Sequence, residues 1–457
     1  MITTINPADG TTLAAYQAMT PAQIEQAVVQ GSAAAAAWGR TAVENRLEAL
    51  TRLAAHLRSE SARLAALITA EMGKPIKEAE GEIEKSAITA EYYAANGGAI
   101  LADEEVPVDG VRAWVAYEPV GLVLAVMPWN FPAWQVFRFA VPTLAAGNGV
   151  LLKHSPNVTG FALELEKVFV AAGFPEHLVT TLLVEEPEVP ATIEGLIADD
   201  RIAAVTLTGS NRAGAAVGAA AGRASKRSVL ELGGSDAFVV LADADLEAAA
   251  AAAVRARFAN SGQSCVCAKR FIVEAAVADE FIDRFVLGVK ALAVGDPSDR
   301  EVAVGPLARD DLRVALQRQV DESVAAGAVL VAGGGSIDGP GYYFEPTVLT
   351  GTAPGMPAFD EETFGPLAAV AVAADVEEAI TLANATQYGL GLSIWTGSPT
   401  RGVEVARRIT SGAAFVNAVV ASDPRLPFGG TKRSGYGREL AAAGIREFTN
   451  TRTYWVA

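Results

Sequence analysis

Cysteine and histidine are scarce in this 457-residue chain: two cysteines, Cys265 and Cys267, and three histidines, His56, His154 and His177. Two cysteines a single residue apart cannot staple a chain of this size, which points to a reducing compartment rather than a disulfide framework. So few histidines leave no Cys/His cluster at metal-ligand spacing, and no acidic loop of the calcium-binding type occurs; no metal is expected. No charge-free apolar run reaches the length of a membrane span. The opening MITTINPADG has no basic stretch followed by an apolar one, so no secretory signal is evident. Basic residues are also short: 36 Lys and Arg against 53 Asp and Glu give a formal net charge of −17, which argues against a general binder of nucleic acid or anionic membrane. These absences lead to the expectation of a soluble, cytoplasmic protein.

What is abundant is apolar surface, 51% of residues, enough for a large core in two or three domains. Residues 21–70 carry helical apolar spacing, and 71–100 continue it after Gly73–Lys74–Pro75. From 111 the texture changes: VRAWVAYEPVGLVLAVMPW is rich in valine and aromatics, is broken by Pro119 and Gly121, and reads as strands. Strand-like and helix-like runs then alternate through GVLLKHS, TTLLV and AAVTLTGS, the pattern of a parallel sheet covered by helices. A second cycle starts at SVLELGG, placing a domain boundary near Glu231–Gly234. The tail NTRTYWVA is apolar and β-prone, and is expected to pair with an edge strand of its own or another subunit.

The segment NSGQSCVCAKR (260–270) places Gly262 and small serines before Cys265. Taken alone, Cys265 fits either a buried structural thiol or a nucleophile activated by amides and nearby charge. TGSNRAG (208–214) follows a strand and opens a helix, suited to an anion at helix-end amides, but Asn211 stands where the GxGxxG fingerprint needs glycine. These motifs come in a fixed order with others: PWNFPAW (128–134), LELGGSD (230–236), EETFGP (361–366) and PFGGTKRSGYGRE (427–439). Together they closely resemble the aldehyde dehydrogenase superfamily over essentially the entire chain.

That resemblance implies an α/β fold with two Rossmann-type domains and a β oligomerisation element. The cofactor domain would comprise 1–110 and 128–230, the catalytic domain 231–426, and the oligomerisation element 111–127 with 438–457, in a homodimer or homotetramer. It assigns Cys265 as the nucleophile that attacks an aldehyde, Asn130 as a donor to the resulting oxyanion, and Glu231 as the base that activates water. Trp129, Lys153, Ser155, Gly209, Ser210, Gly214, Glu362 and Phe364 would contact the dinucleotide. Many NAD-preferring relatives carry a glutamate where this chain has Pro156; its absence removes a charge that would repel a 2′-phosphate, so NADP or NAD is expected. KHSPNV, ELGGSDAF and FGGTKRSGYGRELAAAGIREF resemble the bacterial succinic semialdehyde dehydrogenase branch. A carboxylate on that substrate calls for a cation, with Arg138, Arg257, Arg425 and Ser422 as candidates. Ala259 stands where some relatives have an arginine. Cys267 fits either a buried small residue or a redox partner of Cys265. A broader aldehyde oxidiser and a thiol hydrolase are the competing activities.

Overall fold

The computed structural model describes residues 1–457. The helical spacing of the first hundred residues resolves into four helices, Pro21–Trp38, Val43–Ser59, Ser61–Met72 and Ile76–Leu101. Thr20 and Gln23 form a reciprocal capping box at the first, and Gly73, left-handed at φ 77°, closes the third. The breaks at 39–42 and at Glu60 lie inside the expected 21–70 helix. Apolar periodicity runs through them, and neither Ala42 nor Glu60 carries side-chain capping chemistry.

The helices pack on a six-stranded sheet in the order Gly435–Tyr436, Arg227–Glu231, Ile202–Thr208, Leu122–Met127, Gly149–His154, Val179–Thr181. All neighbours are parallel except the first pair. A second, seven-stranded sheet runs Val329–Ala332, Thr347–Thr350, Leu367–Ala373, Ala268–Glu274, Asp236–Val240, Leu392–Trp395, Phe415–Val416. Only its first pair is antiparallel. A third sheet joins Thr449–Val456, Val111–Pro119 and Glu104–Val108 in antiparallel register. The tail thus pairs with a strand of its own chain, and Tyr454 stacks on Trp114 with ring centroids 4.8 Å apart.

The expected segment boundaries shift in three places. Leu122–Met127 lies at the centre of the six-stranded sheet rather than with 111–119 in the small one. Its unbroken apolar run suits a strand covered on both faces, whereas Val111–Pro119 is only half-buried. Glu104–Val108, assigned to the first domain, belongs to the small sheet. Ala441–Glu447 is a helix on the main core, held in part by the Tyr93 hydroxyl donating to the Ala441 carbonyl at 3.0 Å.

One buried ion pair fixes how the second helical layer meets the sheet. Lys74 and Glu82, both out of solvent, form a salt bridge. The other oxygen of Glu82 accepts from the main-chain N–H of Ala133 (2.7 Å) and Trp134 (2.8 Å), the first groups of helix Trp134–Ala145. The Lys74 ammonium also sits 3.8 Å above the Phe131 ring. Replacing Lys74 with Met strands a carboxylate in the core, and should lower the unfolding free energy by about 3–5 kcal/mol. A denaturation midpoint equal to that of the wild type would contradict this.

Candidate active site

Three neighbouring parallel strands of the second sheet, Asp236–Val240, Ala268–Glu274 and Leu367–Ala373, are each preceded by a loop bearing one of the motifs. Parallel pairing therefore brings the loops 232–235, 263–267 and 361–366 to one edge. Lys269, on the middle strand and fully buried, joins all three. Its ammonium donates to the carbonyls of Gly234 (2.5 Å) and Cys265 (3.0 Å) and to the Glu362 carboxylate (3.0 Å). Glu362 in turn accepts from the Gly234 N–H at 3.0 Å. A Cβ on Gly234 would lie 2.6 Å from the Cys265 carbonyl oxygen. Glycine at 234 thus lets two protein segments approach each other.

The turn into Cys265 is strained. Asn260, Ser261 and Gly262 all have left-handed φ, between 53° and 72°, and each non-glycine residue held so costs about 1–3 kcal/mol. Polar contacts hold it there. Asn260 N–H donates to Glu78 (2.6 Å), and its amide donates to the carbonyls of Asn130 (2.8 Å) and Gln263 (3.0 Å). Asn130, also buried, donates one amide hydrogen to the Gln263 carbonyl (3.1 Å) and accepts from Gln135 (3.1 Å). The turn into Cys265 and the Asn130 turn are thereby one hydrogen-bonded unit.

Glu231 ends the strand Arg227–Glu231, buried, with neither carboxylate oxygen hydrogen-bonded by protein. Burial, and then the charge of Glu439, push its carboxyl well above the usual range, against the pull of Arg138 and Arg438.

The other expected contacts lie at the carboxyl ends of the first sheet, where open α/β sheets bind ligands. Trp129 and Asn130 follow Leu122–Met127, Lys153 is the penultimate residue of Gly149–His154, and Gly209 and Ser210 follow Ile202–Thr208. The Ser210 hydroxyl accepts from Ala213 N–H and caps helix Asn211–Arg223. Gly214 lies inside that helix against Leu232, a packing role rather than a loop one. Ser155 donates to Asn157 at 2.7 Å. Trp129 and Phe364 meet edge-to-face at 5.6 Å.

The substrate arginines come out differently from expectation. Arg257 is fully buried, and its guanidinium donates to the carbonyls of Leu367 (2.6 Å), Thr363 (3.1 Å), Gly262 (3.4 Å) and Gly365, which ties these segments together. Arg425 is exposed and paired with Asp423 at 2.7 Å. Arg138 is buried in an ion pair with Glu439 and stacks 4.5 Å over Phe428. Ser422 accepts a 2.7 Å hydrogen bond from Lys85, a residue the motifs did not mark.

Comparison with known proteins now decides the family. The profile described as Aldehyde dehydrogenase family matches residues 1–454. The chain belongs to the aldehyde dehydrogenase family. Over 451 residues, 99% of the chain and 97% of the relative, it is 48% identical to succinate semialdehyde dehydrogenase [NAD(P)+] Sad of Escherichia coli (strain K12). It is 46% identical over 461 residues, the full length of both, to succinate-semialdehyde dehydrogenase [NADP(+)] 1 of Mycobacterium bovis (strain BCG / Pasteur 1173P2). A solved structure of succinic semialdehyde dehydrogenase from Streptococcus pyogenes in complex with NADP+ superposes with a TM-score of 0.96 at 34% identity, covering 99% of both chains.

In this aldehyde dehydrogenase Cys265 is half-buried. Burial pushes Cys265 up to about 12, with Arg138 and then Lys269 pulling it back only in part. Both cysteines are free, and the Cys267 sulfur faces the Ala259 carbonyl at 3.9 Å. Motif reading missed Lys269, Glu78 and Glu82; the only signal for Lys269 was its place four residues after the cysteine. Because the thiolate is the reactive form, iodoacetamide labelling of Cys265 in the cofactor-free protein should accelerate about tenfold per pH unit from pH 7 to 10. Peptide mass spectrometry can follow the site, and a plateau below pH 9 would refute the raised value.

Proposed function

We propose that this aldehyde dehydrogenase oxidises succinic semialdehyde to succinate with NADP+ or NAD+. The observation that carries the reading is Glu231, a buried carboxylate with no protein partner on either oxygen. The names of the relatives supply the substrate class.

Cys265, once ionised, attacks the aldehyde carbon, and the second amide hydrogen of Asn130 is available to the oxygen that becomes negative. The bound dinucleotide supplies the hydride acceptor that turns the thiohemiacetal into a thioester. Glu231 then takes a proton from water as the water attacks the thioester carbon, releasing the carboxylic acid and the thiolate. With no protein partner on either oxygen, Glu231 is free to make that exchange.

Lys153 fits the ribose or a 2′-phosphate of the dinucleotide. Its side chain is largely buried, makes no protein hydrogen bond, and is lowered to about 8 by that burial, with Glu186 the one opposing charge. With Glu362, Phe364, Trp129 and the Ser210 helix end it would hold the group. The exposed Trp455 and Val456 on the outer strand of the small sheet suit a contact with a second subunit.

A steady-state comparison of succinic semialdehyde with butanal, using NADP+ and NAD+, tests the substrate. Succinic semialdehyde should give the higher kcat/KM, and a higher value for butanal would overturn the assignment. Because Lys153 loses its charge as pH rises through about 8, the KM for NADP+ should climb between pH 7.5 and 9.5 while that for NAD+ changes less. Parallel profiles for the two would detach Lys153 from the phosphate.

A further inference from the structure

The amide of an asparagine has nearly the same shape whichever way it is turned, so half a rotation about its last bond exchanges a donor for an acceptor. One way round, Asn130 offers a hydrogen to an oxyanion; turned over, it would aim a carbonyl oxygen at developing negative charge. Two hydrogen bonds choose between these. Asn130 Nδ2 donates to the Gln263 carbonyl at 3.1 Å, and its Oδ1 accepts from Gln135 Nε2, also at 3.1 Å. A main-chain carbonyl can only accept, which fixes the sense of the first bond and, through it, that of the second.

The Gln263 end is pinned by its own turn. That carbonyl also accepts from the Asn260 amide (3.0 Å), and the Gln263 side chain accepts from the Ala308 N–H (2.9 Å). The Gln135 end is held differently. Gln135 is the second residue of helix Trp134–Ala145 and only 2% exposed; its Nε2 makes that one hydrogen bond, and its Oε1 has no protein partner. A buried acceptor left unpaired is a cost to folding that a methionine of similar length would not carry. What the glutamine supplies there is the hydrogen given to Asn130. We propose that Gln135 is a positioning residue, holding the Asn130 amide with its free hydrogen toward the reacting carbonyl oxygen. This rests on the reading of Asn130 as the oxyanion donor and adds the residue that orients it.

The test uses the full-length enzyme saturated with NADP+ and in excess over aldehyde, with succinic semialdehyde and butanal run in parallel. The single-turnover rate constant for NADPH formation then reports thiol attack and hydride transfer. Gln135→Met should lower it about 3- to 10-fold on both aldehydes, the scale of one lost hydrogen bond. The thermal midpoint should not fall, and NADP+ binding followed by tryptophan fluorescence should be unchanged. In Gln135→Glu a carboxylate faces Oδ1 and favours the turned amide, so the loss at pH 8 should exceed that of Gln135→Met. Relative to wild type it should shrink toward pH 6, where a protonated carboxyl donates again. In an Asn130→Ala background, Gln135→Met should bring no further loss. A full further loss in that background, equal losses in Gln135→Met and Gln135→Glu at every pH, or a wild-type rate constant in Gln135→Met would overturn the positioning role. A wild-type rate constant in Asn130→Ala alone would instead overturn the oxyanion reading of Asn130, and the role of Gln135 with it.

Discussion

The Lys269 ammonium is the interaction on which the site's geometry depends. Parallel pairing brings three loops to one sheet edge, but pairing alone leaves their main chains free to splay. One buried cation with three donors fixes a carbonyl from the glycine pair, a carbonyl from the cysteine turn and a carboxylate from the third loop. The carboxylate then bonds back to the glycine loop, which closes the ring. A buried ammonium without such partners would cost several kcal/mol, so the loops and the lysine hold each other in place.

The same principle recurs around it. Arg257 and Arg270, both buried, spend their guanidinium groups on main-chain carbonyls, of loops, a strand start and the end of helix Val376–Asn384, rather than on carboxylates. Loop carbonyls that no strand can satisfy become ligands for cations, which lets irregular backbone lie deep in the molecule. The strained turn at 260–262 survives for a related reason: Glu78 and Asn130 over-determine it from two directions. Catalytic precision here comes from satisfied main-chain polarity more than from apolar packing.

Much of the architecture was legible in the sequence. The strand–helix alternation and the β-prone tail describe real elements, and the ordered motifs identify the family. The 111–127 segment was misjudged because composition cannot tell two valine-rich strands apart when Pro119–Val120–Gly121 separates a half-buried one from a fully buried one. The partners of the arginines are hidden in the sequence for another reason. Whether a cation is available depends on partners far along the chain: Glu439 for Arg138, and Leu367, 110 positions on, for Arg257. Lys85 and Lys269 are invisible by the same token, since each looks like any lysine until the fold brings its neighbours together.

The short strand Gly435–Tyr436 lies antiparallel to Arg227–Glu231, with Gly435 opposite Glu231 itself, and Glu439 follows just after. Residues 435–439 are therefore set against the Glu231 end of that strand. On the ribosome, the cysteine, the glutamate and most of both sheets emerge long before this last piece does. Without Gly435–Tyr436 and Glu439, the Glu231 end of its strand would lack both its antiparallel neighbour and the charge that helps raise its carboxyl.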